Sequence, residues 1–175
     1  MDPDTEMGPL SNFKQLEIIE KNIKKTIEQG GKVRCGGKRH PFSNEGYYFP
    51  PTIIECDNHS LPTAENELFG PVLSVMKFND EKEVIEKMND NQYGLSSGVY
   101  TSDFARGLRV SNAIRAGITF VNTYRLISPS APFGGIKDSG YGKEAGMESI
   151  KDYTRVKTTW YYTSDEPTLD PFSIR

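Results

Sequence analysis

The clearest pattern near the start of the chain is a series of apolar residues spaced three and four positions apart. The residues are Phe13, Leu16, Ile19, Ile23 and Ile27. Ser11 precedes the series as a candidate cap, and Gly30-Gly31 follows it as a stop signal. The pattern predicts an amphipathic helix that packs one face against a sheet.

Short apolar runs along the rest of the chain predict strands. They lie at 32–35, 52–56, 72–78, 98–101 and 118–122. Helical spacing follows Asp80 and Ser102, which are candidate caps, so helices are expected between the last three strands. This alternation predicts an α/β fold with an open parallel sheet and flanking helices. Residues 36–51, between the first two strands, are expected to form a surface loop.

The region after the last of these strands is dense in Ser, Pro and Gly. It runs from 123 to 142 and includes Pro132-Phe133-Gly134-Gly135. Long loops of this composition inside compact domains often carry function. A short helix is predicted near 144–150, a late strand at 153–162 and a polar tail at 163–175.

Composition narrows the classes of function. The chain has 175 residues, 35% hydrophobic, with 21 basic against 24 acidic side chains and a net charge of −3. Its length suits one structural unit with a core, and no run is long or apolar enough for a membrane span. Because no basic tract is present, no nucleic-acid partner is expected. The acidic N-terminus has no signal-peptide pattern, which favours a cytoplasmic location.

The two cysteines, Cys35 and Cys56, lie far apart without a metal-type spacing. They predict neither a disulfide nor a zinc site, and His40 and His59 match no metal-ligand pattern, so no metal is expected. Cys35 has Arg34, Lys38, Arg39 and His40 nearby, and such cations can activate a thiolate nucleophile. The alternative is a small buried hydrophobe in a strand, which the sequence favours.

Two pairs of residues could contact a ligand. Glu67 and Phe69 precede the strongest strand, where a carboxylate could bind a ribose diol and a ring could flank a flat heterocycle. The alternative is a solvated acid and a core phenylalanine. Asn122 and Phe133 follow the last strand, at the edge where open α/β sheets bind ligands. Their alternatives are hydrogen bonding to the loop backbone and simple packing.

Phosphate-binding glycine motifs are absent from the sequence. Neither GxGxxG nor GxxxxGK[ST] occurs. Gly134 and Gly135 therefore favour a backbone turn over a phosphate cradle.

Taken together, several motifs in their order and spacing resemble the aldehyde dehydrogenase superfamily. They are residues 2–10, 46–52, 67–72, 93–95, 117–122, Pro132-Phe133-Gly134-Gly135 and Ser139-Gly140. The resemblance runs to about Trp160. It implies that residues 1–152 form the C-terminal part of that family's catalytic domain, that 153–162 form its oligomerisation strand and that 163–175 are a tail outside it.

The resemblance also implies an activity and roles for individual residues. The intact enzyme would oxidise an aldehyde to a carboxylic acid with NAD or NADP as cofactor. Glu67 is similar to the carboxylate that holds the nicotinamide ribose hydroxyls, and Phe69 to the ring that contacts the nicotinamide. Asn122 and Phe133 match positions near the substrate tunnel, and Glu144 matches an acid close to the catalytic region.

No catalytic residue of the family is matched within the 175 residues. The family's cofactor domain, nucleophilic cysteine and general-base glutamate precede the segment that this chain resembles, and neither Cys35 nor Cys56 matches the nucleophile. The chain alone is therefore expected to be inactive, as a fragment or as the product of a truncated gene.

Two other functions remain as alternatives. One is a non-catalytic interaction module, and the other is a cysteine hydrolase built on Cys35 and His40. Because the late strand exposes ladder groups, a homo-oligomer through 153–162 is expected.

Overall fold

Helix α1, Phe13–Glu28, is the longest element of the computed structural model, which describes residues 4–39, 46–167 and 172. Asn12 caps it, because its side-chain oxygen accepts a hydrogen bond from the Gln15 amide at 2.9 Å. The cap lies one residue beyond Ser11, the predicted position. Both residues can act as caps, so the sequence pattern could not separate them. The amphipathic helix itself is confirmed.

Eleven further elements follow α1 in the described part of the chain. They are β1 Lys32–Cys35, β2 Thr52–Glu55, α2 Pro62–Glu65, β3 Val72–Val75, α3 Glu81–Asn89, β4 Ser96–Val99, α4 Phe104–Ala113, β5 Ile118–Val121, two 3₁₀ turns at Lys137–Ser139 and Met147–Ser149, and α5 Ile150–Tyr153. The five strands predicted before residue 123 are all present, although four of them have shorter or shifted bounds. The late strand predicted at 153–162 has no counterpart among the described strands.

The described strands form two sheets. One has the order β1-β2-β3 and the other pairs β4 with β5. The β2–β3 and β4–β5 pairs are parallel, whereas β1 runs antiparallel to β2. This confirms the α/β class with parallel pairing. The expectation that β3 lies in one sheet with β4 and β5 was wrong for the described chain, because α2 forms part of a crossover that places β3 beside β2.

The main core lies between α1 and the first sheet. Its buried residues are Leu16, Ile19, Ile23, Phe49, Ile54, Cys56, Leu61 and Leu68. The Thr63 amide donates a hydrogen bond to the buried Thr26 hydroxyl at 3.1 Å, which ties α2 to α1. Phe49 is only 5% exposed, so the predicted surface loop in fact contains a core residue near its end. An aromatic ring just before β2 is long enough to reach this core.

Helices α3 and α4 accompany the second sheet. The Asp80 side chain caps α3 as predicted, accepting from the Glu83 amide at 2.8 Å. Asp103 rather than Ser102 caps α4, accepting from the Arg106 amide at 3.1 Å. Arg109 reaches across to Glu81 through two hydrogen bonds of 2.8–3.0 Å, so an ion pair joins the two helices.

The predicted helix at 144–150 was wrong in its position. Glu144 forms an isolated antiparallel bridge with Phe133, and helical turns begin only at Met147. Residues 154–163 are exposed and belong to no helix or strand among the described residues. His40 lies outside the part of the chain that the structure describes. No helix among the described residues has the length and apolar character needed to cross a bilayer.

Candidate functional site

The segment just before β3 turns Glu67 and Phe69 outward by anchoring the residues next to them. Leu68, between the two, is 6% exposed, and its carbonyl accepts a hydrogen bond from the Gln15 side chain of α1. Gly70 lies so close to α1 that a Cβ there would collide with Ile19. Leu68 is turned into the core, whereas Glu67 and Phe69 on either side of it are exposed.

Phe69 is 77% exposed and has a left-handed backbone with φ of 47°. This conformation is uncommon for a bulky residue, and its cost is often retained at ligand sites. The predicted alternative of a core phenylalanine is therefore not what the structure shows. A free ring face next to a carboxylate can bind a flat heterocycle joined to a sugar.

Glu67 and Phe69 line a first cleft of about 710 Å³. Its opposite wall is the turn between α3 and β4, from Asn91 to Leu95, together with Asp138 and Ser139. The cleft thus joins the segment before β3 to the glycine-rich segment, which are far apart in sequence.

Asn122 follows β5 directly and has a left-handed backbone with φ of 53°. Its side-chain oxygen accepts from the Thr101 amide and its amide group donates to the Thr101 carbonyl, both at 2.8 Å. The side chain thereby joins the ends of β4 and β5. Both polar groups of Asn122 serve the backbone, and Asn122 lines neither of the two clefts described here.

Phe133 and Glu144 come together at the base of the glycine-rich segment. Each amide donates to the other residue's carbonyl at 2.7 Å. Both line a second cleft of about 610 Å³, which also includes Lys143 and Tyr153. Lys143 was missed in the sequence, where a lysine among glycines carries no distinctive spacing.

The two clefts share a wall made of Leu95 and Ser139. The Ser139 hydroxyl accepts a hydrogen bond from the Gly94 amide at 3.0 Å. Lys137 donates to the carbonyls of Asn89 and Asn91 at 3.0 and 2.9 Å, which fixes the segment to the end of α3. The structure therefore brings Glu67, Phe69, Phe133 and Glu144 around one shared wall.

The largest shift of a carboxyl pKa among the described residues lies away from both clefts, at the start of α3. The Lys87 ammonium and the Asn79 amide groups lower the pKa of Glu83 to about 2. A hydrogen bond from Arg109 likewise lowers the pKa of Glu81. These carboxylates are committed to ion pairs that hold α3 and α4 in place.

The two cysteines differ in environment. Cys56 is buried in the core, whereas Cys35 is exposed, so the expectation of a buried Cys35 was wrong. A strand at the sheet edge with one outward face explains this exposure. Arg34 and Arg39, two of the cations expected to activate the thiol, pair with Glu55 and Glu20. Within the described residues, no group of three or more His, Cys, Asp or Glu could hold a metal ion.

Known dehydrogenases are similar to this chain in sequence. The chain is 47% identical over 175 residues to a (Z)-2-((N-methylformamido)methylene)-5-hydroxybutyrolactone dehydrogenase of Acinetobacter baylyi, covering 99% of this chain and 36% of that protein. It is 42% identical over 159 residues to the 4-trimethylaminobutyraldehyde dehydrogenase of Sus scrofa, covering 89% of this chain and 32% of that protein.

A solved structure shows the same fold in three dimensions. The NAD⁺ complex of an aldehyde dehydrogenase from Bacillus cereus superposes with a TM-score of 0.88 at 38% identity, covering 94% of this chain and 33% of that one. The chain thus spans about a third of the length of the relatives it matches. Residues 1–159 match the model of the aldehyde dehydrogenase family, and the chain belongs to that family.

Proposed function

We propose that this chain supplies the late part of the catalytic domain in an aldehyde dehydrogenase that oxidises an aldehyde to a carboxylic acid. The observation that supports it is the pair Glu67 and Phe69, both turned outward into one cleft of a chain that belongs to this family. NAD or NADP is the proposed cofactor, and when bound it would accept a hydride from the substrate.

The residues of the first cleft fit a nicotinamide riboside. The Glu67 carboxylate can accept hydrogen bonds from two neighbouring sugar hydroxyls, and the exposed Phe69 ring offers an apolar face to the nicotinamide. Burial of Leu68 anchors the backbone between the two residues, so less backbone freedom is lost when a ligand binds. In this arrangement Glu67 binds the ribose hydroxyls and Phe69 orients the nicotinamide ring.

Phe133 and Glu144 line the second cleft, and we propose that this cleft holds the aldehyde. Phe133 would exclude water from the substrate, and Glu144 could hold or pass a proton at its carboxylate. Asn122 is proposed near the substrate path, where its bonds to Thr101 fix the ends of β4 and β5. The chain itself contains no matched nucleophile, so we expect it to show no turnover alone.

A chimera tests the proposed function directly. Residues 1–159 would replace the matching third of the Bacillus cereus enzyme, whose fold this chain shares. We expect aldehyde-dependent NAD reduction to persist, and Glu67→Gln to raise the KM for NAD by about tenfold through loss of charged hydrogen bonds. Glu65→Gln, in α2 and outside the first cleft, is the matched control.

Each outcome of the chimera experiment has a definite meaning. A folded chimera that binds NAD normally after Glu67→Gln would contradict the assigned role of Glu67. Turnover of NAD or NADP by the unfused chain, with a panel of aliphatic and aromatic aldehydes, would contradict its proposed inactivity. Cys35→Ala and Cys56→Ala would then show whether either thiol is the nucleophile.

The late segment 153–162 favours self-association. After Tyr153, the last residue of α5, the segment has no helix or strand and is exposed, with Val156 and Trp160 at 99% and 92% exposure. An unpaired extended segment with apolar side chains can add a strand to the sheet of another chain. We propose a homo-oligomer through this segment, which would also serve the alternative of a non-catalytic module. Light scattering that shows only monomers would contradict the homo-oligomer.

A further inference from the structure

The ammonium group of Lys143 lies inside the glycine-rich segment. Its Nζ donates hydrogen bonds of 2.8 Å to the carbonyl oxygens of both Gly134 and Gly135. The side chain is half-buried and belongs to none of the ion pairs among the described residues. The glycines therefore present carbonyls to a cation, the opposite of the amide cradle that binds phosphate.

Convergence of these two carbonyls is unfavourable without a positive charge between them. Parallel carbonyl dipoles repel, and a buried carbonyl without a donor loses the hydrogen bond that it makes to water. Gly134 has a φ of 158°, and a Cβ there would meet the Gly142 carbonyl at 2.7 Å. The turn can therefore form only from small residues, and Lys143 supplies the charge.

The turn stabilised by Lys143 is the one that brings Phe133 to Glu144. Gly134 follows Phe133 directly, and Lys143 precedes Glu144 directly. The two hydrogen bonds of Lys143 therefore close the loop immediately above the reciprocal Phe133–Glu144 bonds of 2.7 Å. Loss of the ammonium would free both ends of this bridge at once.

We propose that Lys143 is a positioning residue that sets Phe133 and Glu144 in the second cleft through the carbonyls of Gly134 and Gly135. This inference rests on the proposed function for the meaning of the cleft. Lys143 acts through backbone groups, and its positive charge is essential to that action. Lys137 is distinct, because it fixes the outside of the segment to α3.

The test uses the full 175-residue chain labelled with 4-fluorophenylalanine. The chain has nine phenylalanines, and a Phe133→Leu variant assigns the resonance of Phe133. We expect Lys143→Met to shift that resonance and to speed hydrogen exchange of the Phe133 and Glu144 amides by about tenfold or more, because bonds from charged donors are the stronger class. Lys143→Arg, which keeps the charge, should restore most of both signals.

Lys151→Met is the matched control. Lys151 lies near the same segment but pairs with the exposed Glu148 at 2.5 Å. We expect it to leave the Phe133 resonance and both exchange rates unchanged. The proposal is overturned if Lys143→Met behaves like Lys151→Met. It is also overturned if the Arg and Met variants at 143 disturb the segment equally, since charge would then have no part.

A second measurement uses the chain without substitutions, so it tests the proposal even if Lys143→Met does not fold. Nitrogen-15 spectra of the lysine side chains report how fast ammonium hydrogens exchange with water. We expect those of Lys143 to exchange about tenfold more slowly than those of Lys151, because two carbonyls hold them. Equal exchange would overturn the proposal. Neither measurement needs turnover, so both are independent of the chimera.

Discussion

Two regions of the described chain differ in how many apolar side chains they bury. The first half runs up to residue 78, and the second half comprises residues 79–153. Each half contains a parallel pair of four-residue strands. In the first half α1 covers one sheet face and buries a cluster of eight apolar side chains. In the second half the described buried hydrophobic residues are Val110 and Ile114 alone. Similar strand units therefore carry very different cores.

Strand number and helix length explain the contrast. The first sheet gains a third strand, β1, and a 16-residue helix, whereas β4 and β5 form a two-stranded pair flanked by helices of 9 and 10 residues. Parallel strands are normally covered on both faces. The second half instead depends on the glycine-rich segment, whose Gly134 packs on Gly117, and leaves Phe104 82% exposed. Stability is concentrated in the first half, and the clefts lie toward the second.

The largest expected effect comes from a cavity in the first half. Ile19→Ala removes a fully buried side chain, so we expect it to lower the free energy of unfolding by about 2–5 kcal/mol. Leu108→Ala, on a 55% exposed position of α4, should change it by no more than about 0.5 kcal/mol. Urea denaturation measures both. Equal losses would contradict the contrast between the halves.

A smaller loss is expected where the glycine-rich segment packs on the second half. In Gly117→Ala the new Cβ would collide with the Gly134 carbonyl, at a cost of about 1–3 kcal/mol. Gly98→Ala is the matched control in β4, because its Cβ would meet only a Tyr100 ring carbon at 4.0 Å. Thermal unfolding compares the two, and a stable Gly117→Ala variant would show that the segment does not pack tightly.

Asn122 offers a local test of how the second sheet ends. Asn122→Ala removes both bonds to the Thr101 backbone and places alanine in a left-handed conformation, so we expect a loss of about 1–2 kcal/mol. Thr123→Ala, the next residue, is the control. Urea denaturation gives both free energies. A neutral Asn122→Ala would mean that the amide is not needed for the strand ends.

The smallest expected effect is a loss of stability at acidic pH. Glu83 has its pKa lowered from 4.5 to about 2, mainly by Lys87, so its ion pair stabilises the fold fully above the ordinary value. That contribution is lost as the pH falls from about 4.5 to about 2, because the Glu83 carboxylate is protonated at a lower pH in the folded state than in the unfolded state. Carboxyl NMR titration measures the pKa. Lys87→Met should raise it, whereas Lys82→Met, whose partner is Glu86, should not.

Much of the fold follows from local sequence pattern. The spacing of Leu16, Ile19 and Ile23 predicted α1, and five strands lie at or near the short apolar runs between residues 32 and 122. Caps were displaced by one residue at Asn12 and Asp103, since adjacent polar residues compete for the same role. The four-residue α2 was missed because one turn is too short to show a helical period.

The candidate site was less accessible to sequence reasoning. Glu67 and Phe69 were identified as a pair, but only packing shows that Leu68 is buried and both neighbours are outward. The exposure of Cys35 depends on which strand lies at the sheet edge, and the sequence does not state this. The contacts of Lys143 could not be predicted from the sequence, because its hydrogen-bond partners are backbone carbonyls, which every residue has.

The sequence by itself determined the family and the α/β class. These depend on motifs and on periodicity, which are properties of neighbouring positions. Tertiary structure alone decided that β3 pairs with β2, that Asn122 serves the Thr101 backbone and that Lys143 closes the glycine-rich segment. Each of these is a contact between groups that chain folding brings together, so it depends on distances that the local sequence pattern does not contain.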